Sequence, residues 1–266
     1  MTDATARLET IIVTQEEGLT IITLNRPDVM NTINFTMVRE MTETMESVRR
    51  DDQARAVLLR AGGRAFCAGA ELSNALMDGN IAFQTKDMLA VFNKMYLSIL
   101  NNEKPVVGAV NGVAAGGGFA LVLCCDIVIA SDAAEFSVMY TRRGIMSDVG
   151  VSYLLPRMVG LRKAKELIFT SNMINAEEAY RIGLVNKLTA RETLEEDALA
   201  FAKRLASGAT KAIGLSKTLI HRGLNMSLAD AMEWESWGQG LCSQTEDVLE
   251  GWRAFFEKRE PRFRGR

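Results

Sequence analysis

Apolar residues along the chain fall into two rhythms. Short β-branched runs at residues 9–15 (ETIIVTQ) and 18–24 (GLTIITL), separated by Glu16, Glu17 and Gly18, predict two strands joined in a hairpin. The runs ARAVLLRA at 54–61, PVVGAV at 105–110 and DIVIAS at 126–131 are apolar throughout and of strand length, and a further short strand is predicted around Phe136. Between them the period lengthens to that of a helix. After the loop NRPDVMNTIN, a helix through about Arg50 sets Phe35, Val38, Met41, Met45 and Val48 on one apolar face. A second runs from about Phe83 to Leu100, with Met88, Leu89, Val91, Phe92, Met95 and Ile99 on a broad face, and a third starts near Asp148 and ends before Pro156.

From Arg162 onward the pattern is mostly helical, in LRKAKELIFT, NAEEAYRIG and Glu192 to Leu205, with VNKLT as a short extended piece. Ala209 to Lys258 is compatible with three more helices. The expected organisation is an α/β core over residues 1–195 and a helical C-terminal region over 196–266. Strand, loop and helix recur about every 45 to 50 residues, the spacing of stacked supersecondary units, although no repeat is evident at the level of residue identity. Trp234, Trp237, Trp252, Phe255 and Phe256 in the helical region suit either a core or a subunit interface.

The 266 residues carry a net charge of −2, which gives no reason to expect a nucleic acid or an anionic membrane as partner and favours a small molecule. MTDATARLET has neither the apolar run of a signal peptide nor the composition of an organelle-targeting one, and no run is long enough to span a bilayer. Four cysteines (Cys67, Cys124, Cys125, Cys242) without CxxC spacing fit a reducing cytoplasm and argue against a zinc site. The one histidine, His221, lies in a helical pattern, so mechanisms that need a histidine base or ligand lose weight.

The candidate chemistry lies in two glycine-bearing loops, GGRAFCAGAEL after the third apolar run and NGVAAGGGFAL after the fourth. Glycines at a strand-to-helix turn also occur where the chain is merely closely packed. Neither loop has the GxGxxG context of a dinucleotide site or the GxxxxGK[ST] of a P-loop. Each can aim a backbone amide at one point, and two convergent amides suit a carbonyl oxygen that gains negative charge during reaction.

At these residues the chain resembles the crotonase family, the enoyl-CoA hydratases and isomerases. The resemblance is carried by LNRPDVMNTIN (24–34), GRAFCAGAEL (63–72), AVNGVAAGGGFAL (109–121) and AFFEKREPRF (254–263), in family order over almost the whole chain. It implies a crotonase-like spiral of repeated ββα units and a helical trimerisation region, giving a homotrimer or a hexamer built as a dimer of trimers. It further implies an acyl-CoA thioester as substrate, with coenzyme A entering as part of that substrate and no cofactor held permanently. Carried over by position, the amides of Ala70 and Gly117 form an oxyanion hole. Ala68 lies near the adenine, and Phe255 and Lys258 of a neighbouring subunit close over the nucleotide. Val29 stands where many relatives carry Lys or Arg, which removes one phosphate contact. The segment 73–93, with Leu76, Met77, Phe83, Met88 and Phe92, is expected to line the acyl pocket.

Family hydratases carry two glutamates, at positions that here hold Ala120 and Tyr140, so standard hydration is disfavoured. Asp148 occupies the place at which ring-epoxide and enoyl-CoA isomerases of the PaaG type, dienoyl-CoA isomerases and aromatic acyl-CoA dehalogenases keep an aspartate. PaaG-like isomerases give the best match, extending through LLPR and the terminal GR. The expectation is an isomerase that shifts a double bond, or rearranges a ring, with Asp148 as acid/base in surroundings made partly apolar by Met146, Val149 and Tyr140. The same residue type is also a common helix N-cap. Tyr140 is either a hydrogen-bonding helper or a wall of the acyl pocket, together with Ala120. The alternatives are a hydratase or lyase using Glu71 or Glu135, and a non-catalytic acyl-CoA binder. The dehalogenase reading lacks its histidine.

Overall fold

The structure, a computed structural model, describes residues 4–71 and 82–266, the side chains of 82–84 excepted. Leu76 and Met77, expected in the acyl pocket, lie outside the described residues, as does the side chain of Phe83. The strands are β1 (Ala4–Arg7), β2 (Ile11–Glu16), β3 (Leu19–Leu24), β4 (Ala56–Ala61), β5 (Val106–Val110), β6 (Val113–Ala115), β7 (Ile127–Ser131), β8 (Glu135–Ser137), β9 (Ile174–Asn175) and β10 (Lys187–Thr189). The helices are α1 (Phe35–Arg50), α2 (Ala82–Leu100), α3 (Gly117–Cys124), α4 (Val151–Val159), α5 (Leu161–Thr170), α6 (Ala176–Arg181), α7 (Leu194–Ala206), α8 (Thr210–Gly223), α9 (Leu228–Cys242) and α10 (Glu246–Glu257).

Seven strands form one sheet in the order β1-β2-β3-β4-β5-β7-β10, antiparallel through β3 and parallel beyond it. The near-continuous apolar strands follow from burial on both faces. Leu19, Ile21, Ala56, Leu58, Val107, Ala109 and Ile129 point to one side, whereas Ile22, Leu24, Val57, Leu59, Val106, Val110, Val128 and Ala130 point to the other. A second sheet, β6-β8-β9, is continued by isolated bridges from Cys67 to Ala114 and from Ile33 to Ala70. Successive passes thus place one strand in the main sheet and the next stretch in the second layer, which is the ββα winding expected. Both glycine loops fall in this second layer, side by side.

α1 covers the larger core with Met37, Val38, Met41, Met45 and Val48. Phe35 was expected on that face but is 59% exposed, because Asn34 caps the helix and Phe35 is its first residue. Val91, on the outer side of α2, is likewise exposed. The helix expected to end before Pro156 instead runs from Val151 to Val159 with the proline inside it. Only one intrahelical donor is lost there, and Gly160 at φ 80° breaks the chain before α5. β1 was not anticipated. It is an exposed edge strand whose short sequence, ATAR, carries no apolar period.

α7 crosses the expected boundary at residue 195 and lays Leu194, Ala198, Ala202 and Ala206 on the second face of the sheet. The small side chains at i, i+4 spacing allow a close approach. α8 is tied to the strands by Lys217, whose Nζ lies 2.7 Å from Asp126 Oδ2, and the same oxygen accepts the Val106 amide at 2.7 Å. The C-terminal tail folds back on α10, where Asp247 accepts the amides of Arg264 and Gly265 at 2.6 and 2.8 Å. No described helix is long and apolar enough to cross a membrane. Replacing Lys217 with Ala strands the Asp126 carboxylate among buried groups and is expected to lower the unfolding free energy by about 3 kcal/mol, read from urea denaturation.

Candidate active site

The two glycine loops are held in register by backbone bonds: the Cys67 amide donates to Val113 O, and the Ala115 amide to Cys67 O, each at 3.0 Å. The approach is tight enough that a β-carbon on Gly118 would lie 2.0 Å from Cys67 O, so this glycine serves packing. A third strand of chain joins them. Asn31 is fully buried and links the NRP loop to the first glycine loop by donating to Gly62 O at 2.9 Å and Ala65 O at 3.0 Å. Its Oδ1 accepts the Arg26 amide at 2.8 Å.

This lattice orients two amides. The Gly69 carbonyl accepts from the Ile33 amide at 2.8 Å and the Glu71 amide donates to Ile33 O at 2.9 Å, so the peptide before Ala70 is clamped on both sides. In a trans peptide the N–H points opposite to its carbonyl, so the Ala70 amide faces away from Ile33. The Gly116 carbonyl accepts from the Ala120 amide at 3.0 Å within the first turn of α3, and the Gly116 amide donates to Ser137 O at 3.0 Å. By the same rule the Gly117 amide points out of the helix start, where it has no intrahelical acceptor. Neither amide has a hydrogen-bond acceptor among the described residues. They are neighbours: a β-carbon on Gly117 would stand 3.5 Å from Ala70 N, and one on Gly69 3.3 Å from Gly117 N. Gly69 at φ 103° and Gly116 at φ 53°, ψ −118° adopt backbone conformations that L side chains rarely reach.

Tyr96 on α2 adds a contact that sequence reasoning missed. Its hydroxyl is fully buried and donates to Gly117 O at 3.0 Å. Burial is the main cause that raises this hydroxyl well above its ordinary value, with the charges of Tyr140, Cys67, Cys124 and Asp148 as further contributors. Asp148 thus acts electrostatically on the tyrosine that bonds the Gly117 turn. It does not cap α4: the N-cap is Gly150, no side chain bonds the first turn, and Ser147 is engaged with Ser152 at 2.6 Å. Asp148 makes no ion pair among the described residues. Burial holds its carboxyl above the usual carboxylate range, while the Tyr140 hydroxyl and its own backbone amide pull it partly back. The Tyr140 hydroxyl, on a residue 7% exposed, is close enough to sense Asp148 yet has no partner in hydrogen-bonding geometry among the described residues. Val149, at φ 41°, is a β-branched residue in the left-handed region, and Met139 before Tyr140 has φ 63°. Strained backbone thus adjoins both side chains. Val149 and Tyr140 are buried as expected, but Met146 is 78% exposed because the loop turns its side chain outward, so it adds nothing to the burial of Asp148.

A sequence profile described as enoyl-CoA hydratase/isomerase matches residues 14–266. The chain belongs to that family. Among relatives, a crotonyl-CoA hydratase of Syntrophomonas wolfei is 38% identical over 96% of this chain and 98% of its own. A 1,2-epoxyphenylacetyl-CoA isomerase of Escherichia coli is 35% identical over 97% of this chain and 100% of its own. The crystal structure of a protein described as a possible enoyl-CoA hydratase of Streptomyces coelicolor superposes with a TM-score of 0.93 at 33% identity, covering 100% of this chain and 98% of that one.

Of the family-derived positions, Ala70 and Gly117 come together, and Tyr140 and Asp148 are coupled to each other and to Tyr96, which bonds Gly117. Ala120 is buried in α3, 1% exposed. Phe92 is 7% exposed and meets Phe35 edge to face at 5.6 Å. Ala68 is half-buried and donates its amide to Met30 O at 3.0 Å, next to the loop that carries Val29. Phe255 and Lys258 are exposed at the end of α10, where Phe255 packs on Phe256 within its own chain and Lys258 is the left-handed C-cap. Glu71 is tied to Arg26 at 2.8 Å, and Glu135 is exposed on β8. No group of three or more potential metal ligands occurs among the described residues.

The raised carboxyl of Asp148 has a measurable consequence. Its unfolded value is about 3.9, so the cost of ionising it in the folded state sets in as pH rises past that value and is complete above the folded one. Asp148→Asn is therefore expected to melt at a higher temperature than wild type at neutral pH, with the gain vanishing as pH falls below about 4, read from thermal melts across pH.

Proposed function

We propose that this member of the enoyl-CoA hydratase/isomerase family is an acyl-CoA isomerase that shifts a double bond, or rearranges a ring, through an enolate. One observation carries the reading: a half-buried carboxylate without an ion pair among the described residues acts electrostatically on the tyrosine that bonds the Gly117 turn, whereas the two positions at which hydratases of the family carry glutamates hold Ala120 and Tyr140. The thioester oxygen sits between the amides of Ala70 and Gly117, the oxyanion hole. Asp148, as carboxylate, removes a proton from the carbon next to the thioester carbonyl. The electron pair moves onto the carbonyl oxygen, where the two pre-oriented donors stabilise it. Asp148 then returns the proton two carbons further along, and the double bond ends conjugated with the thioester. One proton leaves the substrate and one is delivered, with exchange to solvent at the Asp148 carboxyl between the two transfers, and no water is consumed, so one acid/base suffices. A carboxyl raised by burial is the stronger base for this step.

Coenzyme A arrives and leaves with the substrate, and the enzyme holds no permanent cofactor. Ala68 borders the adenine end, and Phe92, Ala120 and Tyr140 border the acyl group. Phe255 and Lys258, on α10, cover the nucleotide of a neighbouring copy in a homotrimer or a dimer of trimers. The apolar side chains left on α9 and α10, Met232, Trp234, Trp237, Leu241, Trp252, Phe255 and Phe256, are 51% to 75% exposed in the single chain and supply the material for that interface. Hydration is the second reading, favoured by the names of several relatives. It must find a carboxylate pair, and Glu71 is committed to Arg26.

With a ladder of 3-enoyl-CoA esters in deuterated buffer, wild type is expected to yield 2-enoyl-CoA carrying solvent deuterium. Asp148→Asn is expected to lower that rate by about a thousandfold while acyl-CoA binding is retained. Full activity in the variant removes Asp148 as the base.

A further inference from the structure

We propose that Tyr96 is a positioning residue for catalysis, holding the Gly117 half of the oxyanion hole in its productive orientation. The inference rests on the thioester reading above and extends it to a residue outside the glycine loops. Four backbone bonds set the hole on the Ala70 side and on the Gly116 side, and the peptide that follows Gly117, in the first turn of α3, takes a side-chain bond in addition to the helix's own. The Tyr96 hydroxyl donates to Gly117 O at 3.0 Å from α2, 21 residues away in the chain. Contact with the turn is direct as well: a β-carbon on Gly117 would lie 2.8 Å from the hydroxyl oxygen, so the ring end occupies the space against the Gly117 Cα. A glycine flanked by glycines has little conformational preference of its own. The Gly116 carbonyl sets the direction of the Gly117 amide, and the Tyr96 hydroxyl, against the Gly117 Cα and carbonyl, limits how far that turn can shift from Ala70.

The clamp is permanent over the working pH range, because burial keeps the phenol protonated and therefore always a donor. Tyr96 is fully enclosed, 3% exposed, and does not reach the substrate. Its effect passes through the orientation of Gly117.

The test is Tyr96→Phe, which keeps the ring and removes one oxygen, combined with Gly117→Ala. Acyl-CoA esters of a saturated ladder from acetyl- to dodecanoyl-CoA, carbon-13 labelled at the thioester carbonyl, are bound to each variant and read by difference infrared spectroscopy. In wild type the carbonyl stretch of the bound ester is expected at a lower frequency than in water, as two donors polarise it. In Tyr96→Phe part of that shift is lost, and kcat for 3-enoyl-CoA isomerisation falls about tenfold with KM changed by less than about twofold. In the double variant the methyl group of Gly117→Ala no longer meets the hydroxyl, so the effects on kcat are less than additive.

A purely structural Tyr96 gives a different result: a lower melting temperature with the wild-type carbonyl frequency and wild-type kcat, which overturns the proposal. Failure of the underlying reading is distinguishable. Wild type would then bind none of the ladder, or bind it with an unshifted carbonyl.

Discussion

The site depends on the anchoring of two peptide carbonyls. Because the Gly69 and Gly116 oxygens are each held by a backbone amide, at 2.8 and 3.0 Å, the N–H groups on the far side of those planar peptides have a fixed direction. That direction is set before any ligand arrives, so little reorganisation is needed when charge develops on a carbonyl oxygen between them. The ββα winding supplies the anchors. Each pass returns the chain to the second layer one strand-width along, which brings Ile33, Gly69, Gly116 and Ser137 into neighbouring positions although they come from four separate segments.

Asp148 works against the rest of the fold. The general tendency is to bury carboxylates only with partners, as Glu40 does by accepting the amides of Glu9 and Thr10, and Asp247 by accepting those of Arg264 and Gly265. Asp148 has no comparable set of donors, its neighbour Val149 is in a strained conformation, and the nearby Tyr140 hydroxyl is left without a partner. An unpaired acid, a free buried hydroxyl and strained backbone at one place are costly to stability. Their coincidence at Asp148 is what the proposed acid/base role would account for.

Much of the frame was legible in the sequence because parallel strands buried on both faces are apolar throughout and amphipathic helices repeat every three to four residues. The strands β3, β4, β5 and β7 and the helices α8 and α10 follow that logic. The glycine loops were legible as a pair of amide donors, although the residue pattern alone could not separate Gly118, which packs on Cys67, from Gly117, whose amide is free. Asn31, Ile33 and Tyr96 were not legible as site-forming residues. Their roles come from partners distant in sequence, and an Asn in a loop or a Tyr on an apolar helix face has ordinary explanations. Pro156 misled for a related reason, since a helix tolerates one lost donor near its end when the following glycine ends it anyway.

Isomerisation and hydration differ in whether water enters the product, and in the proposed reading Ala120 and Tyr140 leave Asp148 to act alone. The most direct measurement is the mass of the product formed from 3-enoyl-CoA esters in oxygen-18 water. Proton transfer by a single aspartate predicts a 2-enoyl-CoA isobaric with its substrate and free of oxygen-18. A 3-hydroxyacyl-CoA carrying one oxygen-18 atom as the sole product would contradict it.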